Sequence, residues 1–561
     1  MSYLDFKPAS CKNCYKCLRE CPVKAIRITN HQAKIIDERC ILCGTCTGVC
    51  PQNAKIVHSE SEIVENLLKS GDKIVASVAP SFVSSFGISE FSVMQIALGK
   101  LGFFYSEETA IGANLVVEEY KKLLKEGKYK NFITSACPAV NNLIQEYYPN
   151  ALPYLANVDS PMLAHAKLLK KQFPTAKIVF IGPCIAKKKE AAQSGIVDAV
   201  LTYEDLKGLF EKNKINLTQT AKLSVSNKGV GENKAKFFPI SRGIIKSFDE
   251  LPLGYEYVAI DGVQKCMDIL ESVDTLNGMF LELNACDYAC VKGPCSLTSA
   301  EGAIKANADI RKYATKDGDK WLTVDGNGID ISQFYPRIKP LGNAFTEKDI
   351  KAVLAQTGKF KKEDELNCGA CGYRTCREKA WAVLNGFAES DMCVPYMRER
   401  AETMSYEIIQ NSPNGIIVVD FDLKIIEVSK KARELFGISG DVKGRDLVDF
   451  INPTEYLLAS TGKKFFTHER LTIGEKIVEL SVIVLAEQKV MFGMYTDITE
   501  QTNADKKLEK MRLDTIATTD EVIQKQMRVA QEIASLLGET TAESKVALLK
   551  LKAALLETHE D

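Results

Sequence analysis

Three apolar runs in this chain each end on a cysteine: Asn131-Phe-Ile-Thr leads into Ser135-Ala136-Cys137-Pro138, Lys177-Ile-Val-Phe-Ile-Gly-Pro into Cys184, and Met279-Phe-Leu-Glu-Leu-Asn-Ala into Cys286, with Cys290 four residues on. Short runs of this composition predict buried strands. In open α/β sheets the carboxyl ends of such strands are where ligands bind. The pattern therefore predicts four thiols delivered from strand ends to one edge of a sheet, where thiolates can enclose an iron-sulfur cluster. Two further runs, Lys73-Ile-Val-Ala-Ser-Val and Tyr257-Val-Ala-Ile, alternate with amphipathic stretches between about 72 and 345. That alternation predicts parallel sheets covered by helices.

The first 58 residues hold two copies of another pattern, Cys11, Cys14, Cys17, Cys21-Pro22 and Cys40, Cys43, Cys46, Cys50-Pro51. This is the bacterial two-cluster ferredoxin run, in which the fourth cysteine of each copy ligates the other cluster. One cubane is thus assigned to Cys11, Cys14, Cys17 and Cys50, and the other to Cys40, Cys43, Cys46 and Cys21. Zinc also uses paired C-x2-C units, but it does not require the third cysteine or the terminal Cys-Pro. Further on, a charged linker, Lys359-Phe-Lys-Lys-Glu-Asp-Glu365, leads into Cys368, Cys371, Cys376 and, after a helical stretch, Cys393. The spacing resembles a small 4Fe-4S module of electron-transfer and corrinoid proteins. A closed four-thiolate zinc site is the competing reading.

The segments TSACP, GPCIAKKKE and LELNACDYAC resemble the three signature segments of FeFe-hydrogenases. The resemblance implies an H-cluster, a 4Fe-4S cubane held by Cys137, Cys184, Cys286 and Cys290 and joined through Cys290 to a di-iron unit with CO, CN and a bridging dithiolate. It implies that Lys187, three residues from Glu190 on the helix after Cys184, binds a cyanide ligand. A solvated basic stretch, Lys187-Lys-Lys, is the bland reading of the same residues. Ala136 stands where the family carries a proton-relay cysteine, Gly182 where it carries a methionine, and Lys292-Gly293-Pro294 where it carries glycines. An ungapped comparison also puts Ala156 in the place of a relay serine and Lys122 in that of a relay carboxylate. The acidic pair Glu118-Glu119 survives, and Glu282 is a further carboxyl for another route. These departures resemble the sensory branch of the family. They imply slow, reversible hydrogen oxidation and proton reduction. Cys266 and Cys295 match no ligand position and read as small buried thiols.

Residues 403 to 500 contain no cysteine. Two β-rich runs around a polar turn, Asn414 to Val428, precede a helix from Ser429 to Phe436, and a later strand closes on Asp497-Ile-Thr-Glu500. The stretch resembles a PAS domain. Without cysteine a flavin-thiol photocycle is excluded, and His468, the single histidine there, reads as a surface residue. From about 501 the chain is predicted helical, with Val522, Val529 and Leu536 seven apart, a break at Gly538-Glu-Thr-Thr, and Val546, Leu549, Ala553 and Leu556 beyond it. Such stripes need a partner.

The fold class predicted is multidomain α+β: a two-cluster ferredoxin-like domain over 1–58, an α/β hydrogenase-like domain over 59–345, a small helical Fe-S module over 346–400, an α+β PAS domain over 401–500, and signalling or dimerisation helices over 501–561. Lys plus Arg number 72 against 73 Asp plus Glu, so no basic field argues for nucleic acid. No uncharged run of about 18 residues is present to span a bilayer, and no signal-peptide block opens the chain. Cysteines spaced as metal ligands imply a reducing, cytoplasmic setting in an anaerobe. The partners implied are H2 and protons, a ferredoxin-like electron carrier, a signalling protein acting in trans and a second copy of the chain. The alternative is an iron-sulfur electron-transfer or scaffold protein that never receives the di-iron unit.

Overall fold

The computed structural model describes residues 2–223, 234–298, 302–315, 328–461, 469–537 and 542–556. The chain divides into two compact units, Met1–Tyr396 and Met397–Asp561.

In the first unit the short strands β1 (Leu4–Phe6) and β4 (Lys55–Val57) pair antiparallel, as do β2 (Ile26–Thr29) and β3 (Gln32–Ile35). The repeat seen in the cysteine spacing returns in three dimensions: the amide of Ala25 donates to Cys21 Sγ at 3.3 Å, and that of Ala54 to Cys50 Sγ at 3.4 Å. Each amide lies four residues beyond its thiol.

The parallel strands form two sheets rather than one. β5 (Ile74–Val78), β6 (Tyr105–Glu108), β8 (Lys177–Gly182) and β9 (Ala199–Thr202) make a four-stranded sheet in the order β6-β5-β8-β9. β7 (Phe132–Ile133), β10 (Glu256–Asp261) and β11 (Met279–Asn284) make a three-stranded one, ordered β10-β11-β7. The expectation of one sheet edge is therefore corrected: Cys184 follows a strand of the larger sheet, while Cys137, Cys286 and Cys290 follow strands of the smaller. Packing explains the division. Phe132 stacks on Phe280 with centroids 5.3 Å apart, and Phe248 and Tyr257 close round Phe280, giving the smaller sheet an aromatic core of its own. The strand Tyr105–Glu108 carries no apolar signal in the sequence, because its inward residues are polar and satisfied by other polar groups.

Helices Ala110–Lys125 and Pro161–Gln172 lie in close contact. A Cβ on Gly112 would overlap the Pro161 carbonyl oxygen and come within 2.5 Å of His165 Cβ. Only glycine permits that approach.

The helix Cys376–Leu384 packs with Glu347–Ala355 to form the four-cysteine module, which docks on the ferredoxin-like segment. Gly372 abuts Leu18, and the amide of Ile28 donates to the Phe387 carbonyl at 3.1 Å. Arg39 lies among the rings of Tyr147, Trp381 and Phe387 at 5.7, 5.3 and 5.6 Å. The charged segment expected to be a linker is built into this packing: Lys359 Nζ donates to Cys393 Sγ at 3.3 Å, and Glu365 pairs with Arg377 at 3.2 Å.

The second unit is a five-stranded antiparallel sheet ordered β13-β12-β16-β15-β14, with β12 (Gly415–Asp420), β13 (Ile425–Val428), β14 (Glu469–Ile473), β15 (Lys476–Leu485) and β16 (Val490–Asp497). Ser429 caps the helix Lys430–Phe436, and Gly437 ends it at φ +63°. Tyr456 fills the core beside Gly493, where any Cβ would overlap its ring, and its hydroxyl meets that of Tyr495 at 3.2 Å. The sheet is followed by helices Thr499–Leu537 and Ala542–Leu556. On them Val522, Val529, Val546 and Leu549 are each about half exposed. His468, the break at 538–541 and the side chains of Leu536 and Leu556 lie outside the described residues. Among the described residues no helix is long and apolar enough to cross a membrane.

Candidate functional site

The carboxyl ends of β5, β7, β8 and β11 open on one cavity. Its wall includes Cys137, Cys184, Cys286 and Cys290, together with Ala136, Lys187, Phe180, Thr109 and Asn284. Local structure sets each thiol. Cys137 caps the helix Pro138–Tyr147, whose first residue is a proline that needs no amide partner there. The peptide before it is held by Tyr120, whose hydroxyl accepts from the Ser135 amide at 2.8 Å and lies 3.0 Å from Ser135 Oγ. Tyr288 and Ala289 adopt left-handed φ of 60° and 55°, turning the chain sharply between Cys286 and Cys290.

The electrostatics record how close these thiols are. Burial pushes Cys184 up to about 11, with Cys137 adding to it. Burial, then Cys184, Cys137 and Cys290, drives Cys286 far above the ordinary thiol range. Cys290 is raised by burial and then by Cys137 and Cys184. Cys184 and Cys286 are half-buried and Cys290 is open to the cavity mouth, so thiols crowded round one accessible space are what a thiolate-binding metal group would deprotonate and compensate. The residues fit an iron-sulfur group.

Lys187 lies at the wall with its ammonium 2.7 Å from Glu190 Oε2, both side chains about one-tenth exposed. Lys188 is 1% exposed, donates to the Val200 carbonyl and faces Glu60 and Asp205. The solvated reading of Lys187-Lys-Lys is thereby corrected for its first two residues: the helix Ala186–Ser194 buries them against opposite charges.

Two family departures acquire a physical account. At Gly182 a Cβ would come within 2.8 Å of the Phe180 ring, so the aromatic ring takes the space a longer side chain would use. At Pro294 the ring packs on Gly44, whose φ of +76° and contact with Pro294 Cγ exclude any side chain. That contact brings Cys43 to the edge of the same cavity.

The remaining cysteines gather as three sets. Burial, then Cys21, Cys43 and Cys46, raises Cys40 well above the usual thiol range. Cys17 is raised by burial, and Cys11 and Cys50 act on it, while Cys14 is exposed in the same loop. Cys368, Cys371, Cys376 and Cys393 line one small cleft with Lys359 and Lys379. Cys266 and Cys295 are fully buried and do not line the cavity.

The positions where the family's relay groups are missing, and the carboxyls left for another route, are dispersed. Ala136 is on the cavity wall, whereas Ala156 is fully buried in the apolar core. Glu118 pairs with Lys121 at 2.9 Å and Glu119 with Lys122 at 3.2 Å, toward the outer end of the helix Ala110–Lys125. Glu282 is wholly buried, accepts from the Ile245 amide at 3.0 Å, and burial pushes its carboxyl up to about 8. Thr109 and Phe180 at the wall escape a reading of the sequence, since neither has a diagnostic spacing.

Sequence comparisons match this architecture. Residues 72–294 match the family described as iron only hydrogenase large subunit, C-terminal domain; 10–54 match a 4Fe-4S dicluster domain; 364–395 an Fe-S cluster family; and 403–490 the PAS fold. The chain is 25% identical over 269 residues to the NADP-reducing hydrogenase subunit HndD of Solidesulfovibrio fructosivorans, covering 42% of this chain and 46% of that one. It is 29% identical over 318 residues to the periplasmic Fe hydrogenase large subunit of Nitratidesulfovibrio vulgaris, covering 44% and 73%. It is 27% identical over 202 residues to the cytosolic Fe-S cluster assembly factor NAR1 of Eremothecium gossypii, covering 33% and 45%. Among solved structures, an FeFe-hydrogenase HydA1 variant from Chlamydomonas reinhardtii matches at 17% identity and TM-score 0.41, covering 50% of this chain and all of the other. The match to the iron only hydrogenase large subunit, C-terminal domain, over residues 72–294 thus stands in one chain beside matches to a 4Fe-4S dicluster domain, an Fe-S cluster family and the PAS fold.

Proposed function

We propose that this protein is an FeFe-hydrogenase of low turnover, interconverting H2 with two protons and two electrons, and that it serves hydrogen or redox sensing. The observation that carries the reading is the convergence of Cys137, Cys184, Cys286 and Cys290, from three separate strand ends, on one cavity that also holds Lys187. In this reading those thiolates hold the cubane of an H-cluster and Cys290 bridges to its di-iron unit. When bound, that group supplies the chemistry of the H–H bond. The chain's own residues bind and orient it: Lys187, steadied by Glu190, offers a positive charge to an anionic ligand, and Phe180, Phe238 and Pro239 exclude water.

Three further 4Fe-4S clusters serve electron transfer. One is assigned to Cys21, Cys40, Cys43 and Cys46, one to Cys11, Cys14, Cys17 and Cys50, and one to Cys368, Cys371, Cys376 and Cys393. Cys43 at the cavity edge makes the first of these the immediate neighbour of the site. A ferredoxin-like protein is the proposed external carrier. The PAS domain and terminal helices are proposed to report to a signalling partner in trans from a homodimer, in the cytoplasm.

Infrared spectroscopy of maturase-loaded protein tests the reading: CO and CN bands are expected. Their absence, with iron-sulfur content intact, would favour the second reading, an iron-sulfur scaffold or electron-transfer protein without the di-iron unit. The resemblance to a cluster assembly factor supports that alternative.

A further inference from the structure

The departures at Ala136, Ala156 and Lys122 leave the cavity without the proton carriers of the family, yet hydrogen chemistry needs protons moved through groups in hydrogen-bond reach of one another. A different chain of such groups reaches the cavity at Thr109. The Tyr105 hydroxyl, half-buried, donates to Glu107 Oε1 at 3.1 Å. Glu107 Oε2 lies 3.0 Å from His165 Nε2, and His165 Nδ1 lies 2.8 Å from Ser77 Oγ. Ser77 Oγ lies 2.7 Å from Thr109 Oγ1, and Thr109 is part of the cavity wall. Ser77, Thr109 and His165 are at most 4% exposed, and Glu107 is 7% exposed.

These residues come from β5, β6, the residue capping Ala110–Lys125, and the helix Pro161–Gln172, so no sequence spacing announces them. Burying a histidine costs free energy unless its ring nitrogens are hydrogen-bonded, and Glu107 and Ser77 meet both nitrogens of His165. Gly112, by admitting His165 at 2.5 Å from where its Cβ would be, is what seats the ring between the two strands and the helix.

We propose that Glu107, His165, Ser77 and Thr109 form a proton relay between the surface at Tyr105 and the cavity. The proposal rests on the hydrogenase reading. Every member can both give and accept a proton. For inward transfer, protonated Glu107 gives its proton to His165 Nε2 while His165 Nδ1 gives one to Ser77. Ser77 gives its own to Thr109, and Thr109 releases one into the cavity. One proton leaves the carboxyl, one enters the cavity, and each intermediate residue ends with the proton count it began with. The chain is then polarised outward, ready to carry a proton in the other direction. Inward reuse requires the hydroxyls and the imidazole to reorient, and turning a ring with no exposed surface is slow. A relay of this kind suits low turnover in both directions.

The test uses the full-length, maturase-loaded protein and two readouts: hydrogen turnover, and the rate at which the CO bands shift after a potential jump, in H2O and D2O. Thr109→Val keeps the shape at the wall and removes the hydroxyl, and Thr109→Ser restores one. The expected result is a fall on the order of 10²-fold in both rates for Thr109→Val, substantial recovery in Thr109→Ser, and unchanged iron content and CO and CN intensities in both. The solvent isotope effect on the potential-jump rate should be present in wild type. His165→Gln, which keeps polar contacts but cannot pass a proton, should behave as Thr109→Val does. Wild-type rates in Thr109→Val, with normal bands, would overturn the relay alone. Equal losses in Thr109→Val and Thr109→Ser would also overturn it, by showing that packing rather than the hydroxyl matters. Wild-type protein without CO and CN bands would overturn the hydrogenase reading and the relay with it.

Discussion

The two compact units differ in what their frames carry. In Met1–Tyr396 apolar cores hold the sheets, and on that frame strand ends and the left-handed turn at Tyr288 and Ala289 bring thiols to common points. In Met397–Asp561 there is no cysteine, and an apolar core around Tyr456, Tyr495 and the β12–β16 sheet sets the fold in the ordinary way. A unit whose frame carries ligands should lose its chemistry to single substitutions without losing its fold, while a unit that carries no thiol should be removable whole without disturbing that chemistry.

The largest effect should come from the first half of this contrast. Cys290→Ser is expected to abolish attachment of the di-iron unit and with it the CO and CN infrared bands, because a hydroxyl does not replace a soft bridging thiolate. The electron paramagnetic signals of the N-terminal clusters should persist. Normal CO and CN bands in that variant would rule out the bridging assignment.

The reciprocal change is removal of the chain from residue 403 onward. Metal content and hydrogen turnover should remain near those of the full chain, since all eighteen cysteines precede that point. Dimerisation measured by light scattering should be lost. A truncated protein with full iron and no turnover would show that the two units are not chemically separable.

A smaller effect is expected where the ferredoxin-like segment meets the cavity. Gly44→Ala places a Cβ against Pro294 at a backbone angle that glycine alone favours, and should destabilise the first unit by about 1–3 kcal/mol. Gly71, at φ +84° with nothing within 4 Å, is the control. Gly71→Ala should cost only the backbone preference, about 1 kcal/mol. Equal melting shifts for the two would mean that the Pro294 contact contributes nothing.

Glu282 offers a pH-dependent test of the buried chemistry. Burial pushes its folded carboxyl up to about 8, far above an unfolded glutamate at about 4.3. Between those values the unfolded chain releases a proton that the folded one keeps, so this residue makes stability fall as pH rises through the window. Glu282→Gln should therefore raise the melting temperature more at pH 8 than at pH 6. An identical shift at both would place the carboxyl in a more polar setting than its burial indicates.

What could be read from sequence follows the same division. The cysteine sets were legible because metal ligation dictates residue type and spacing together, as at Cys11 to Cys21 and Cys40 to Cys50. The helix Lys430–Phe436 was legible because Ser429 and Gly437 bound it. The two-sheet arrangement was not, since Phe132 pairs with Phe280 nearly 150 residues away and a strand of two residues carries no periodicity. Nor was the Tyr105–Glu108 strand, whose burial depends on His165 from a distant helix. Tertiary coincidences of polar groups leave no local pattern, and they are where the cavity's surroundings had to be seen.

The smallest effect is expected at Ala136. Placing a thiol there by Ala136→Cys restores one carrier at the cavity wall, but the positions that would continue the path cannot. Ala156 lies with no exposed surface in an apolar cluster beside Val158 and Phe132, and the side chain there has no proton to give. Farther out, Lys122 is exposed and holds Glu119 at 3.2 Å, and Glu118 is held by Lys121 at 2.9 Å, so both carboxylates there are committed to ion pairs. A carrier without a neighbour in reach does not shorten the slowest step. Turnover should rise by well under the roughly 10²-fold that a well-placed proton carrier contributes, and adding Thr109→Val to Ala136→Cys should still depress it. A gain of that full size from Ala136→Cys alone would show that water or an unrecognised group completes the path through Ala136, and would make the relay through His165 secondary.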